Sequence, residues 1–303
     1  MTREGVLYLD SYRLAQYSVQ VPCYLCGEGN TFDAETCRHC FAPMALAHQA
    51  ATQKIRPRIL AAIGASGVGK TVYLGMLMDM LSRQPDRLQL LARGAFSINL
   101  QQLTTSALSR GEFPTKTPSE PDRWNWVHCQ VRSPKEKKPL ELIMPDVAGE
   151  ALAEEIDHPH TYRVLRELLS KCAGAVIMVD ATKIESGKLD QDYFTMKLLS
   201  YLVELNDHPK EGWRARPLSF VFTKTDECED CFLDPEAYAR THAVGIWKMC
   251  QERFTRCRFF AASVAGACAY RTARHGRVRI PLRIEPRGIV EPFEWLVQSL
   301  KQA

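Results

Sequence analysis

One segment of the sequence has the spacing of a phosphate-binding loop. Residues 64–71 read GASGVGKT and satisfy the pattern G-x-x-x-x-G-K-[ST]. In such a loop, glycines let backbone N–H groups turn inward around phosphate oxygens, and the following helix adds the positive end of its dipole. Lys70 would neutralise the β- and γ-phosphates, and the Thr71 hydroxyl would ligate Mg²⁺. An ordinary glycine-rich turn is the alternative. The expected phosphate contacts are Gly64, Ser66, Gly67, Val68, Gly69, Lys70 and Thr71.

A second motif, DVAGE at 146–150, begins one residue after the largely apolar run Leu140–Met144. An aspartate at the end of a strand beside a phosphate loop can hold Mg²⁺ through water, which is the expected role of Asp146. The backbone N–H of Gly149 can bind a γ-phosphate, so this segment would differ between the triphosphate and diphosphate states.

A third motif, TKTD at 223–226, follows the apolar run Leu218–Phe222 and predicts which base is bound. The Asp226 carboxylate can accept the ring N–H and the exocyclic amine of guanine, whereas adenine lacks this pair of donors. The stem of Lys224 would pack on the face of the base, and Thr223 would lie beside it. The sequence therefore predicts a guanine nucleotide.

Four early cysteines form two C-x-x-C units, which are typical of a structural zinc site. Four thiolates at this spacing satisfy tetrahedral Zn²⁺, and Gly27 permits the turn after the first pair. About 45 residues cannot bury enough apolar surface to fold alone, so the metal would stabilise the module. A redox pair is the alternative. The expected zinc ligands are Cys23, Cys26, Cys37 and Cys40.

Taken together, the three nucleotide motifs resemble those of the Ras-like GTPases of the P-loop superfamily (the TRAFAC class). The resemblance spans roughly residues 57–303 and implies a GTPase fold that binds GTP or GDP with Mg²⁺. It also implies that Thr117, in GEFPTKTP, is the switch I threonine that completes the magnesium shell, with Thr115 as the runner-up. The last family motif, which meets guanine O6 through a backbone amide, would fall at Ser263.

Three departures from the family pattern have consequences. The spacing from Lys70 to Thr117 is longer than a minimal Ras-like domain needs, because an insertion with a predicted strand (LQLLARG) and helix (INLQQLTTSALSR) precedes switch I. Glu150 stands where a water-orienting glutamine is common, so we expect slow hydrolysis. Ser66 replaces a common glycine. With the cysteine module and the C-terminal GIVEPFEWL, these features are similar to the double-GTPase family of bacterial conflict systems.

Several other residues can each be interpreted either as functional or as structural. Cys228 and Cys231 supply half of a second zinc site or are free thiols. His158 and His160 shape a catalytic environment or are polar loop residues, and Arg110 or Arg163 could act as an arginine finger. Trp124 and Trp126 pack one face of a strand. An arginine-rich stretch binds nucleic acid or an acidic partner, or forms a hairpin with outward arginines: Arg271, Arg274, Arg277, Arg279, Arg283 and Arg287.

The elements that must position these residues alternate between strand and helix patterns, which predicts a mostly parallel sheet with helices on both faces. We expect strands at 58–63, 174–179, 218–222 and 258–262, an antiparallel hairpin of 124–131 with 139–144, and helices at 72–82, 193–205, 235–254 and 292–301. The predicted organisation is an N-terminal zinc-ribbon segment (1–45), a helical or loose linker (46–56) and a Ras-like domain (57–303).

Composition sets the remaining limits. The 303 residues are 46% hydrophobic and 24% charged, as in a globular protein, and the net charge of +4 is too small to indicate nucleic acid or a membrane. The longest uncharged apolar stretch, 173–179, is far shorter than a bilayer span. Met1–Tyr12 lacks a signal-peptide core, so we expect a cytoplasmic protein whose eleven cysteines are free or metal-bound.

These observations predict a GTP-binding switch with slow Mg²⁺-dependent hydrolysis, in which Lys70, Glu150 and Thr117 are catalytic. A protein partner would dock on the zinc ribbon and the switch regions. The alternatives are a nucleotide-gated adaptor with negligible hydrolysis and an ATP-using P-loop enzyme.

Overall fold

A central sheet of eight strands carries the predicted site in this computed structural model, which describes residues 20–53, 57–83, 88–133, 138–187, 189–205, 212–273 and 276–301. Its strands are β3 (Arg58–Gly64), β4 (Gln89–Ala92), β5 (Trp126–Arg132), β6 (Leu140–Pro145), β7 (Gly174–Asp180), β8 (Leu218–Thr223), β9 (Cys257–Ala273) and β10 (Gly276–Arg287). A separate two-stranded sheet pairs β1 (Gln20–Pro22) with β2 (Gly29–Thr31).

Helices flank this sheet. They are α1 (Ala45–Gln53), α2 (Lys70–Ser82), α3 (Ala95–Ser109), α4 (Gly149–Asp157), α5 (Arg163–Lys171), α6 (Ala181–Glu185), α7 (Asp190–Leu205), α8 (Glu229–Leu233), α9 (Pro235–His242), α10 (Val244–Arg253) and α11 (Val290–Lys301). Two short 3₁₀ turns lie at Pro121–Arg123 and Thr225–Glu227.

The strand order is β10-β9-β8-β7-β3-β6-β5-β4. The five strands β6, β3, β7, β8 and β9 run parallel, whereas β4, β5 and β10 run antiparallel to their neighbours. Two apolar cores lie against the sheet. The predicted α/β fold, mostly parallel with helices on both faces, is therefore confirmed, and its geometry brings the carboxyl ends of β3, β6 and β8 to one edge.

The antiparallel part also follows the prediction. β5 and β6 pair from Trp126 with Pro145 to Val131 with Leu140, and the turn residues 134–137 lie outside the described part. The insertion before switch I forms β4 and α3, as its two patterns indicate. Trp124 and Trp126 are both buried, with ring centroids 6.4 Å apart.

Two predicted elements are wrong in extent. The helix expected at 235–254 is two helices that break at Ala243, because α10 turns to pack Gly245 on α7, where an added Cβ would lie 2.6 Å from the sulfur of Met196. The strand expected to end at Ala262 continues to Ala273, because β10 supplies an antiparallel partner along this whole extension.

The predicted linker contains a packed helix. In α1, Leu46 and Ala47 are buried in the same core as Cys37, Cys40 and Leu25 of the cysteine module. The side chain of Gln49 lies 3.1 Å from Nδ1 of His128 on β5. Helix α1 thus joins the cysteine module to the sheet through packed contacts, while the division into 1–45, 46–56 and 57–303 stays a prediction.

The predicted N-terminal residues Met1–Tyr12 and the predicted arginine Arg274 lie outside the described residues. Within the described part of the chain, no helix combines the length and the hydropathy needed to cross a bilayer.

Candidate nucleotide-binding site and metal centre

The phosphate loop connects β3 to α2 at the carboxyl edge of the sheet. Gly67 and Gly69 adopt φ values of 76° and 96°, which only glycine adopts without strain. Helix α2 then begins at Lys70. A cavity of about 310 Å³ lies over this loop and extends to Lys224 and Asp226. The loop therefore forms one end of the cavity, as its sequence predicts, and the guanine motif lies at the other.

Lys70 is a buried cation without a carboxylate in ion-pair contact among the described residues. Its ammonium donates to the backbone oxygens of Gly64 (2.9 Å) and Ala65 (3.0 Å). Burial lowers the pKa of Lys70 to about 8, although the negative charges of Asp146 and Glu150 oppose this change. An anion placed in the loop would offset the cost of burying the charge, which fits a lysine that binds phosphate.

Three oxygen-bearing side chains converge beside the loop. The Thr71 hydroxyl lies 3.0 Å from the Thr117 hydroxyl and 2.9 Å from Asp146 Oδ2, and the Thr117 hydroxyl donates to the same Oδ2 at 3.0 Å. Asp146 follows β6, is fully buried and forms an isolated bridge to Ala62 of β3. Mg²⁺ prefers such hydroxyl and carboxylate oxygens, so the donor set fits this ion. Thr115 lines the cavity without belonging to this cluster.

The start of α4 approaches the loop very closely. A Cβ added to Gly149 would lie 2.4 Å from the backbone nitrogen of Ser66, so this position requires glycine. The neighbouring Glu150 carboxylate accepts hydrogen bonds from Ser66 Oγ (3.1 Å) and from Lys116 Nζ (3.3 Å). The Lys116 ammonium lowers the pKa of Glu150, with a smaller contribution from Ser66. Glu150 is therefore favoured in its charged form, and its two hydrogen bonds connect the phosphate loop with the segment before Thr117.

Asp226 lies at the other end of the cavity, where Ser263 and Arg279 donate to it and the Cys268 thiol lies beside it. Ser263 Oγ is 2.7 Å from its Oδ1, and the Arg279 guanidinium is 2.7 Å from its Oδ2. Lys224 forms an ion pair with Asp180 at the end of β7. Thr223 Oγ1 donates to the backbone oxygen of Val68 at 2.8 Å and so ties β8 to the phosphate loop.

A family comparison matches these same elements. The model of the Double-GTPase 1 family (DO-GTPase1) matches residues 61–211, nearly half of the chain. The matched residues include the phosphate loop, Thr117, Asp146 and Gly149. Over these residues the chain is similar to a family of P-loop GTPases.

Solved structures align with this chain at low identity. The small COPII coat GTPase Sar1 of Encephalitozoon cuniculi, in complex with GDP, is 13% identical, with 99% of this chain and 94% of that chain covered and a TM-score of 0.38. The GTP-bound Ski7 GTPase-like domain of S. cerevisiae is 14% identical, with 82% and 50% covered and a TM-score of 0.43.

The signal recognition particle receptor SRb-GTP/SRX complex of Chaetomium thermophilum is 15% identical, with 70% of this chain and 92% of that chain covered and a TM-score of 0.36. A comparison with curated proteins finds no significant match.

The four early cysteines of this chain come together as one cluster. Cys23 Sγ lies 3.6 Å from Cys40 Sγ, Cys26 Sγ lies 3.5 Å from Cys37 Sγ, and all four sulfurs are within 4.8 Å of one another. The two knuckles have the same turn. Gly27 N donates to Cys23 O and Phe41 N to Cys37 O, with positive φ at both donor residues.

The chemistry of this cluster fits zinc. Four sulfurs at these separations can surround one tetrahedral ion, and thiolate is the ligand that Zn²⁺ prefers. The Cys40 thiol lowers the pKa of Cys23, so a thiolate already forms readily there. In the described residues, potential ligands group in threes or more only at these cysteines and at Asp226, Glu227 and Cys268. Cys228 and Cys231 are buried thiols outside both groups.

The remaining predicted residues lie away from the cavity. Arg110 is exposed and lies 3.9 Å from Glu112, and Arg163 begins helix α5. His158 and His160 lie in the loop after α4. The buried Glu155 fixes this loop, because it accepts the backbone N–H groups of His160 (3.0 Å) and Tyr162 (2.7 Å) and the hydroxyl of Tyr201 (2.7 Å).

Arg279 is the residue that the sequence interpretation places wrongly. We predicted outward arginines on this hairpin, but the Arg279 side chain is only 16% exposed and lines the cavity. The apolar neighbours Val278 and Leu282 are exposed instead. Arg271, Arg283 and Arg287 match the prediction better, since all three are exposed or half-buried, and the side chain of Arg277 lies outside the described part. The alternation of apolar residues in the sequence does not indicate which face of β10 meets the cavity.

Proposed function

We propose that this protein is a GTP-binding switch that hydrolyses GTP slowly with Mg²⁺. The observation that carries the proposal is the arrangement of one cavity. At one end, the hydroxyls of Thr71 and Thr117 meet the Asp146 carboxylate beside the buried Lys70. At the other end lies Asp226, the only carboxylate among the described residues that line the cavity besides Glu150. This pairing suits the two ends of a guanine nucleotide.

The phosphate end supports binding and sensing of the γ-phosphate. Lys70 and the backbone N–H groups of the loop would hold the β- and γ-phosphates. Mg²⁺, held by Thr71, Thr117 and Asp146, would neutralise negative charge that develops on the phosphates. Thr117 and the N–H of Gly149 belong to two segments that flank the phosphate loop. Both segments would contact the γ-phosphate side of the nucleotide and would therefore respond to its presence. Val68 and Gly64 complete the loop in this proposal, and Thr223, Lys224 and Ser263 contribute to the base end.

Glu150 supports slow rather than fast hydrolysis. Its carboxylate could orient an attacking water, but it carries a negative charge beside the γ-phosphate position, and Lys116 favours that charged form. It is also held by Ser66 and Lys116. Catalysis would therefore come mainly from positioning and electrostatics at Lys70 and Mg²⁺. The same contacts favour the second candidate, a nucleotide-gated adaptor with negligible hydrolysis.

The zinc ribbon is the proposed docking element for a protein partner. Phe32 and Phe41 on this module are 48% and 56% exposed. Residues Thr36 and Phe41 line a surface cleft together with Thr161 and Tyr162, which belong to the loop after α4. A partner bound there would touch both the ribbon and this loop. A cytoplasmic location, expected from the N-terminal residues, and a role in bacterial conflict, implied by the resemblance, stay predictions, as does the lesser option of nucleic acid.

Nucleotide competition tests the proposal directly. The purified chain, freed of nucleotide and supplied with Mg²⁺ and Zn²⁺, is titrated with fluorescent GDP and then competed with GTP, ATP and XTP. We expect GTP to compete far better than ATP, and Asp226→Asn to shift the preference towards XTP. Equal competition by ATP would support the P-loop ATPase alternative instead. Multiple-turnover phosphate release then separates a slow GTPase from an adaptor, which would release no more than one phosphate per chain.

A further inference from the structure

The base end of the cavity has an arginine where the resemblance implies a loop amide. In that resemblance, guanine O6 meets a backbone amide in a loop around Ser263. Here β9 runs through this position without interruption, and Ser263 and Ala265 pair with Arg287 and Ile284 of β10. The backbone here is an extended strand rather than a loop, so a side-chain donor on a neighbouring element that lines the cavity is a second candidate partner for O6.

Arg279 of β10 reaches this place. Its guanidinium lies 2.7 Å from Asp226 Oδ2 and 2.6 Å from Glu227 Oε1, and its side chain lines the cavity. The guanidinium also lies 5.8 Å from the ring centroid of Phe113, which precedes switch I. Two carboxylates and one aromatic ring thus fix the position of a side chain with five N–H donors, so several donors are left for a ligand.

The order of donors and acceptors at this edge matches guanine. Along its edge, guanine presents an amine donor, the N1–H donor and the O6 acceptor. The Asp226 carboxylate presents two acceptors, and Arg279 beside it presents a donor. This order is complementary to the two donors and one acceptor of guanine. The two carboxylate oxygens together have about four acceptor positions. Ser263 and Arg279 occupy two of them, and the Cys268 thiol, a weak donor that the N–H groups of the base would displace, lies beside a third.

We propose that Arg279 determines base specificity by donating to guanine O6, the role that the resemblance gives to a loop amide. This inference rests on the proposed binding of a guanine nucleotide. It assigns the β9–β10 hairpin to the nucleotide site, although Arg279 is 53 positions from Asp226 in the sequence.

Two nucleotides that differ at one atom test this assignment. GDP and 6-thio-GDP share the N1–H and the amine, but sulfur is a much weaker acceptor than O6. Wild-type protein should prefer GDP, and Arg279→Met, which keeps an unbranched stem, should lose roughly tenfold or more in GDP affinity together with this preference. Arg283→Ala is the matched control on the same strand, since its side chain is 68% exposed and pairs with Glu285.

The other outcomes each have one meaning. Tighter GDP binding by Arg279→Met would show that the arginine covers the site, and an equal loss for both nucleotides would show that it only positions Asp226. Either result overturns the assignment, as does wild-type protein without a preference. If Arg279→Met does not fold, Arg279→Lys, which keeps the charge beside Asp226, should show a reduced preference. Failure of wild-type protein to bind GDP at all would instead reject the proposed function.

Discussion

The buried charge of Lys70 predicts that removing this residue stabilises the protein while it abolishes binding. Only 6% of Lys70 is exposed, and its pKa falls from 10.5 to about 8. A pKa change of 1 corresponds to about 1.4 kcal/mol. Keeping the ammonium charged in the folded chain therefore costs about 3 kcal/mol. Lys70→Met removes this cost and also two hydrogen bonds to backbone oxygens, which contribute about 1 kcal/mol each. We therefore expect a net gain of about 1 kcal/mol at pH 7.

The pH dependence gives the sharper measurement. Below pH 8 the lysine is charged in both folded and unfolded chains, and the cost is present in full. Between the folded pKa of about 8 and the unfolded value of 10.5, the unfolded chain holds one more proton, so stability rises with pH. The free energy of unfolding of nucleotide-free wild type should therefore rise by up to about 3 kcal/mol relative to Lys70→Met.

Urea denaturation of both proteins at pH 7 and pH 10, in reducing buffer with zinc and without magnesium, measures this difference. Titration of cysteines and tyrosines cancels in the comparison, because both proteins contain the same ones. Lys197→Met is the control, because the Lys197 side chain is 60% exposed and its ion pair with Asp157 lies at the surface, where such pairs contribute little to stability. Parallel pH profiles for wild type and Lys70→Met would refute the reasoning, and micromolar GTP binding by Lys70→Met would refute the phosphate-loop role.

Three further predictions concern the switches and the metal. Thr117→Ala should raise the magnesium concentration needed for GTP binding about tenfold or more, as expected for the loss of a charge-assisted contact, whereas Thr115→Ala should titrate like wild type. Gly149→Ala places a Cβ 2.4 Å from Ser66 N, so it should weaken GTP binding more than GDP binding in calorimetry; equal losses would contradict the close approach. Cys37→Ser should lower both the zinc content and the melting temperature, while Cys257→Ser keeps one zinc per chain by elemental analysis.

The sequence predicted the parts of the site that are local in the chain. The phosphate loop, Asp146 and Asp226 each follow an apolar strand, and parallel strands bring such positions to one edge of a sheet. These residues were accessible because a short motif and one neighbouring element determine where each of them lies. Thr117 is different, because only the family resemblance implied its role, with Thr115 as the runner-up.

Arg279 and the extent of β9 were not predictable in the same way. Arg279 meets Asp226 across 53 positions, and its position depends on how β10 pairs with β9. The alternation in IPLRI indicates a strand with two faces but does not say which face meets the cavity. The start of helix α10 was not predictable either, because the break at Ala243 results from the packing of Gly245 against Met196 of a helix distant in the sequence. Tertiary packing determined each of these features.

The cysteine module and helix α4 share one apolar core, which offers a physical route for coupling between them. Cys37 and Leu25 of the module lie in the same apolar core as Ala151 and Leu152 of α4, the helix that begins at Gly149, whereas the core on the other face of the sheet contains no residue of the module among those described. A displacement of α4 by the γ-phosphate would therefore change packing beneath the ribbon. Since packed cores are not continuously deformable, a partner that holds the ribbon in one packing should favour one nucleotide state. By linkage, that partner would change the GTP-to-GDP affinity ratio by the same factor by which GTP changes the partner's affinity.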